Sequence, residues 1–380
     1  MSMGQSSHTW RVGVEVELLA PRGSDRRALA DHIAGAVPSR EVRRVFHHES
    51  EPSKVVGQPV FENLTLGFEV YSADDQLVAR CVDDLTIQDE LDRAHPPRAG
   101  WFRVVSDEAR LLRLTARHAD LTLGLPHALA PVAALFGCEL EPCGDGMFRL
   151  CDEAGASILI AAPLPGERER PCELITPPLE EDRVDSLRSL LASALELGFS
   201  VPQEGALHVH YDAQPLKHAP VIRRLIQTLS QWGEPLKELV GVNPRCRRLG
   251  PWDPSLVMAT EIPHFDELSW EEASALLASQ PLTKYCDFNL SNFILGRADK
   301  DTFEVRIFPS TSDVEVALAD IALFEALLLV IISDMPLNTP APQRLGAWSA
   351  QLIALLRELN DRGVLSDEHS KYWRQRVAEM

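Results

Sequence analysis

WRVGVEVELLA, residues 10–20, alternates apolar and polar positions at every step from Val12 to Leu18. In an extended chain Val12, Val14, Val16 and Leu18 point one way, and Gly13, Glu15 and Glu17 the other. A strand patterned like this buries one face and keeps the other polar. The pattern returns downstream. In ALHVHYD, residues 206–212, Leu207, Val209 and Tyr211 oppose His208, His210 and Asp212. In residues 301–308, DTFEVRIF, the apolar Phe303, Val305 and Ile307 oppose Thr302, Glu304 and Arg306. PCELITPP, residues 171–178, puts Glu173 and Ile175 opposite Cys172 and Leu174 and is closed by two prolines. Strands with one polar face belong to antiparallel sheets, because parallel sheets are buried on both sides and read as unbroken apolar runs.

Helical patterns separate these strands. They are expected over 24–36, 109–118, 127–136 and 182–197, from Pro220, after a Ser269/Glu272 capping box, and over 313–332 and 343–361. Gly198 and Gly363 stop two of them. The combination predicts an α+β protein, a mainly antiparallel sheet with helices on one side. Residues 53–147 have a character of their own, with strand-like Leu64–Tyr71 and Leu77–Val82 around a turn at Ala73-Asp74-Asp75. They are expected to form an inserted lobe, leaving 1–52 and 148–380 as the main domain. The stretch between residue 37 and this block reads as irregular, with His47-His48 at the surface.

Composition narrows the function. The 380 residues carry 37 Lys+Arg against 56 Asp+Glu, a net charge of −19, which opposes capture of nucleic acid or anionic membrane. Chemistry on anionic substrates then requires bound metal or local arginines to reverse the sign. The most apolar stretch, Val314 to Ser333, contains Glu315, Asp320 and Glu325, so it reads as a buried helix and not a membrane span. MSMGQSSHTW lacks a basic region followed by an apolar run, so no signal peptide is expected. Seven cysteines without paired CxxC motifs point to reduced thiols and a cytoplasmic protein, with no zinc site at Cys138, Cys143 and Cys151. The phosphate loops GxxxxGK[ST] and GxGxxG are absent, as is GxSxG.

If the four strands are neighbours, one sheet face collects Glu15, Glu17, Glu173, Glu304, His208, His210 and Arg306. Clustered carboxylates repel, and a divalent cation removes the repulsion. Glu with a single His and open positions suits Mg²⁺ or Mn²⁺ held together with phosphate. A solvated sheet face would account for any one of these strands. It does not account for several that carry Glu, His or Arg and almost no Lys or Ser. Arg245, Arg247 and Arg248, in NPRCRRLGPWDP, form a cationic loop that is either an anion site or plain surface. Asn289, in KYCDFNLSNF with Lys284 and Tyr285, is a ligand-binding residue or a turn cap. Arg170 ends a charge run, Glu167-Arg168-Glu169-Arg170, just before Glu173.

Taken in order, GVEVELLAP, CELITPPL, GALHVHYD, YCDFNL and TFEVRIFPST resemble the amidoligases of the carboxylate–amine ligase superfamily, which includes glutamine synthetase and glutamate–cysteine ligase. The resemblance covers residues 11–21 and about 170–330. It implies a curved antiparallel sheet of the glutamine synthetase kind, whose concave face holds metal ions and the ATP phosphates. By motif position, Glu15, Glu17, Glu173, His208 and Glu304 are the expected metal ligands. Glu304 and Arg306 form the catalytic acid–arginine pair, with Arg306 facing phosphate. Arg245, Asn289 and His210 complete the expected nucleotide set. Ala206 stands where the family has glycine.

The implied activity is ATP- and Mg²⁺- (or Mn²⁺-) dependent formation of an amide from an amine and a small carboxylate, an amino acid or peptide. Relatives range from monomers to rings, so a homo-oligomer is compatible with the resemblance. Joining carboxylate to amine in water is uphill, and activation as an acyl phosphate needs metals and a cation on the transferring group. No Ser–His or Cys–His pair offers a covalent alternative. Two other readings of the same face are a zinc-type amidohydrolase and a non-catalytic binding module. Arg103 and Asp107, beside Trp101-Phe102, are the expected substrate-selecting residues of the lobe.

Overall fold

The computed structural model describes residues 10–36, 40–52, 60–106, 108–246, 248–296, 300–338, 340 and 348–380. They form two compact units. The first holds the described residues up to Val16, Pro178–Arg188 and those from Glu204 onward; the second holds Glu17–Pro177 and Ser189–Gln203. Strand β1 (Val12–Leu19) begins in the first unit and passes into the second after Val16.

The second unit contains β2 (Glu41–Pro52), β3 (Val60–Tyr71), β4 (Leu77–Val82), β5 (Phe102–Val105), β6 (Glu141–Pro142), β7 (Phe148–Cys151), β8 (Ser157–Pro163) and β9 (Pro171–Ile175). They pair antiparallel in the order β9-β4-β3-β5-β8-β7-β6, with β2 on the free side of β3. Leu64, Leu66, Phe68 and Val70 of β3 are buried, as are Leu29, Ala30 and Ile33 of α1 (Arg26–Gly35). Asp25 caps α1, its side chain accepting from the Ala28 N–H at 2.9 Å. Helices α2 (Ala109–His118) and α3 (Ala130–Leu135) follow the expected apolar runs. One expectation fails here: the stretch read as irregular is strand from Glu41, and His48 sits 2.9 Å from Glu62 across the β2–β3 pair. Of its side chains up to Glu49, those of Glu41, Arg43 and His48 are exposed and the others half-buried, so no buried face marks it.

Helix α4 (Arg183–Glu196) runs from the first unit into the second. The first unit adds β10 (Ala206–Asp212), β11 (Phe288–Asn289) and β12 (Thr302–Pro309), antiparallel in the order β11-β12-β10-β1. Its helices are α5 (Ala219–Val240), α6 (Pro254–Thr260), α7 (Trp270–Ala278), α8 (Ser291–Ile294), α9 (Val314–Ile332), α10 (Ser349–Asp361) and α11 (Asp367–Glu379). Val12, Val14, Val16, Leu207, Val209, Tyr211, Phe303, Val305 and Ile307 are all almost fully buried. They face α5 and α9: Tyr211 donates its hydroxyl to the Ile321 carbonyl at 2.9 Å, and Phe308 meets Phe324 edge-on at 5.4 Å. The Ser269/Glu272 capping box at the start of α7 is formed. Helix α11 was not expected, since only Ser370, Trp373 and Val377 of its sequence are buried. Trp373 anchors it, donating to the Ala319 carbonyl at 3.1 Å. Residues 343–347 of the predicted last helix lie outside the described residues. The protein is α+β, and no helix among the described residues is long and apolar enough to cross a membrane.

Candidate metal and anion site

Strand register turns the alternation into a cluster. β1 and β10 set Glu15 opposite His208; β10 and β12 set His210 opposite Glu304; β11 and β12 set Asn289 opposite Glu304. Residues opposite one another in antiparallel strands share a face at ~5 Å. On that polar side of the first unit Glu15, His208, His210 and Glu304 come together, each buried. A bulge helps place the arginine. From Leu207 to Val209 the partner moves from Phe308 to Val305, so two steps on β10 face three on β12. The extra residue lets both Ile307 and Phe308 face the core while Arg306 stays with Glu304, its Nη1 bonded to Glu304 Oε1.

Glu15 Oε2 lies 3.4 Å from His208 Nδ1, and Glu15 Oε1 lies 3.2 Å from His210 Nε2. Glu304 Oε1 is 3.9 Å from the same His210 nitrogen. Glu15, His210 and Glu304 each present an atom within 4.8 Å of the others, close enough to hold one ion. The ring of His210 is fixed from behind by Thr302 Oγ1, 3.0 Å from Nδ1. Its Nε2 is buried and makes no hydrogen bond among the described residues, although Glu15 is within ion-pair range. A buried imidazole nitrogen without a hydrogen bond, between two carboxylates and steadied at its other nitrogen, is the arrangement of a metal ligand. Groups that can hold a metal contain no cysteine among the described residues.

The carboxylates are held ionised. Burial pushes the Glu15 carboxyl up, but Lys300, His210 and His208 outweigh it and bring it well below the ordinary range. At Glu304 burial is again opposed, chiefly by Arg306 and then by both histidines, and the carboxyl falls to about 2. Asn289 Nδ2 also donates to Glu304 Oε2 at 2.7 Å, while its own oxygen accepts from Ser291 N and Oγ at 2.9 and 2.6 Å. Burial, and then Arg306, lower the pKa of His208, which favours the neutral, metal-binding imidazole.

A depressed carboxylate stabilises the fold only while it is ionised, so the sign of the pH dependence follows. The contribution of Glu304 is complete above the ordinary value of 4.5 and is lost as pH falls toward about 2. Urea unfolding of the metal-free protein should therefore lose stability over that window. Glu304→Gln should show a flatter curve, and coincident curves would mean that Glu304 is not held ionised.

Cations line the same region despite the acidic chain. Lys300 Nζ is 3.3 Å from Glu15 Oε1. Burial, then Arg248, Arg306 and Lys300, depress the Lys284 pKa, so three further cations act on Lys284. Arg248 lies 5.4 Å above the Tyr285 ring. Lys300 was not singled out from the sequence, although its even number places it in phase with Thr302, Glu304 and Arg306.

The remaining expected residues are placed as follows. Arg245 is exposed on the loop after α5, where its N–H donates to Asn243 Oδ1 at 3.0 Å, and Arg248 is the loop arginine that acts on Lys284. Glu17, buried, and Glu173, half-buried and opposite Val82 on β4, belong to the second unit. Arg170 is buried and paired with Glu167. Arg103 is on β5 opposite Thr65, while Asp107 and Arg247 lie outside the described residues.

A family model described as "Putative amidoligase enzyme" matches residues 8–328. No curated protein matches the chain.

Proposed function

The chain belongs to that amidoligase family, and on this premise we propose that it is an ATP-dependent carboxylate–amine ligase working through an acyl phosphate. One observation carries the reading. The two ionised carboxylates and the unbonded His210 nitrogen adjoin a rim of Arg306, Lys300, Lys284 and Arg248. A metal site beside excess positive charge suits a polyphosphate better than a neutral amide.

Glu15, His210 and Glu304, with His208, would hold Mg²⁺ or Mn²⁺; Glu17 and Glu173 are assigned to metal on their motif positions alone. The metal, when bound, withdraws charge from phosphate oxygens as a Lewis acid. Arg306 is steered by Glu304 onto the γ-phosphoryl group, where negative charge develops in transfer. The substrate carboxylate attacks the γ-phosphorus, forming its bond to phosphorus as the bond to ADP breaks. The amine then attacks the acyl carbon and phosphate leaves. Lys284, Lys300 and Arg248 offset the phosphate charges, and no protein nucleophile is required.

With ATP, Mg²⁺ and a carboxylate, hydroxylamine should replace the amine and give a hydroxamate, with ADP and phosphate as the other products. AMP and pyrophosphate would instead indicate an adenylate. The second reading is a metal-dependent amidohydrolase, favoured by the imidazoles of His208 and His210, each beside one oxygen of Glu15. Amide cleavage without ATP would promote it.

A further inference from the structure

Each buried carboxylate of the metal cluster in the first unit is matched by a basic side chain of the chain itself. Arg306 takes Glu304, and Lys300 takes Glu15. The two pairs are held differently. Arg306 is 12% exposed and stands on β12 two residues from its partner. Lys300 comes from the loop ahead of β12, its side chain 49% exposed, and reaches a carboxylate whose own side chain is 9% exposed. An ion pair with one half-exposed member is weak, and the flexible stem of the lysine is the part that can move.

Lys300 holds the oxygen that a metal would need. Its Nζ lies 3.3 Å from Glu15 Oε1, and the same Oε1 lies 3.2 Å from His210 Nε2; Oε2 is turned to His208 Nδ1 at 3.4 Å. Oε1 is therefore the Glu15 atom on the His210 side, where Glu15, His210 and Glu304 converge. Mg²⁺ bonds a carboxylate oxygen at about 2.1 Å, so on Oε1 it would lie at most ~5.4 Å from Nζ. Like charges that close oppose one another strongly in a buried site. The two pairs balance, with no negative charge left over for a divalent ion. Lys284 and Arg248 add further positive charge, and Lys300 itself acts on Lys284. A lysine displaced from Glu15 gains nothing from that rim until an anion joins it.

We propose that Lys300 is the resident counter-ion of Glu15, displaced by metal and taken up by phosphate, so that metal and triphosphate bind cooperatively. The inference rests on the metal-and-nucleotide reading above and adds an order of preference to it: metal alone binds weakly, and metal with triphosphate binds well. Coupling of this kind is reciprocal, since each ligand favours the other by the same factor. Lys300 supplies it because its charge opposes one ligand and attracts the other. A residue that merely braced the loop would support both.

The test compares the native chain with Lys300→Met by calorimetry, first with Mn²⁺ alone and then with the β,γ-imido analogue of ATP at saturating Mn²⁺. Lys300→Met should bind Mn²⁺ alone about tenfold more tightly than the native chain. It should bind the analogue about tenfold more weakly. Lys300→Arg keeps the charge and should stay near the native chain in both titrations. Lys300 is half-exposed and outside any helix or strand, so both variants are expected to fold. The proposal is overturned if Lys300→Met binds Mn²⁺ no more tightly than the native chain, or if it binds the analogue equally well. Arginine that behaves like methionine overturns it too, since charge would then not be the cause. Absence of Mn²⁺ binding in every variant removes the metal site and the inference with it. If the native chain binds Mn²⁺ but not the analogue, the nucleotide reading fails and the coupling with it, whereas the Mn²⁺ titration still decides whether Lys300 is the counter-ion.

Discussion

Replacing Arg306 by alanine is expected to slow ATP-dependent hydroxamate formation by ~10³-fold or more, the scale of an arginine acting on a transferring phosphoryl group. Arg306 is well placed for such an effect. Its side chain is 12% exposed, it is tied to Glu304, and the bulge in β12 keeps it on the polar side. The KM for ATP should change far less than kcat, because charge accumulates on the γ-phosphoryl group in the transition state and not in the ground state. Arg306→Lys keeps the charge but not the planar fork, so it should recover only part of the rate. A loss of ATP binding that matches the loss of rate would reduce Arg306 to a ground-state contact.

The second large effect concerns metal. Mn²⁺ or Mg²⁺ with ATP should raise the melting temperature of the native protein, since a ligand at 100 times its Kd adds about 2.7 kcal/mol. Glu304→Gln should lose most of that increment. It also strands Arg306, and breaking a buried pair costs about 3 kcal/mol on its own. The quantity to compare is therefore the increment, not the melting temperature. Glu15→Gln provides the cleaner control, because its cationic neighbour Lys300 is 49% exposed and is not left buried without a partner. If both variants kept the full increment, the metal would have to bind elsewhere.

The elements that alternate were legible from the sequence. β1, β10 and β12 each have a buried apolar face, and period-two patterning put Glu15, His208, His210 and Glu304 on the opposite one. The family match, residues 8–328, agrees with the resemblance that the strand motifs carry. Other features left no such trace. β2 has no buried side chain up to Glu49, and α11 buries only Ser370, Trp373 and Val377. The hold of Asn289 on Glu304 depends on a two-residue strand, Phe288–Asn289, too short to show a period. Lys284 and Lys300 act through space from loops, and only the folded chain brings them beside Arg306.

Long stretches of chain separate the strands that carry the candidate ligands. The contact between Glu15 and His208 spans 193 positions, and that between Glu15 and Lys300 spans 285. Contacts so distant are slow to form, because the loop must close before the contact stabilises it. During synthesis β1 emerges early and waits for its partner β10, then for β12. At ~5–20 residues per second, the interval between Glu15 and Glu304 lasts roughly 15–60 s. Until its neighbouring strands emerge, Val12, Val14 and Val16 form an unpaired apolar strand, open to wrong pairing or to a chaperone. Any metal capture by Glu15, His210 and Glu304 must therefore await the emergence of β12, and Mn²⁺ uptake by stalled nascent chains would time that closure.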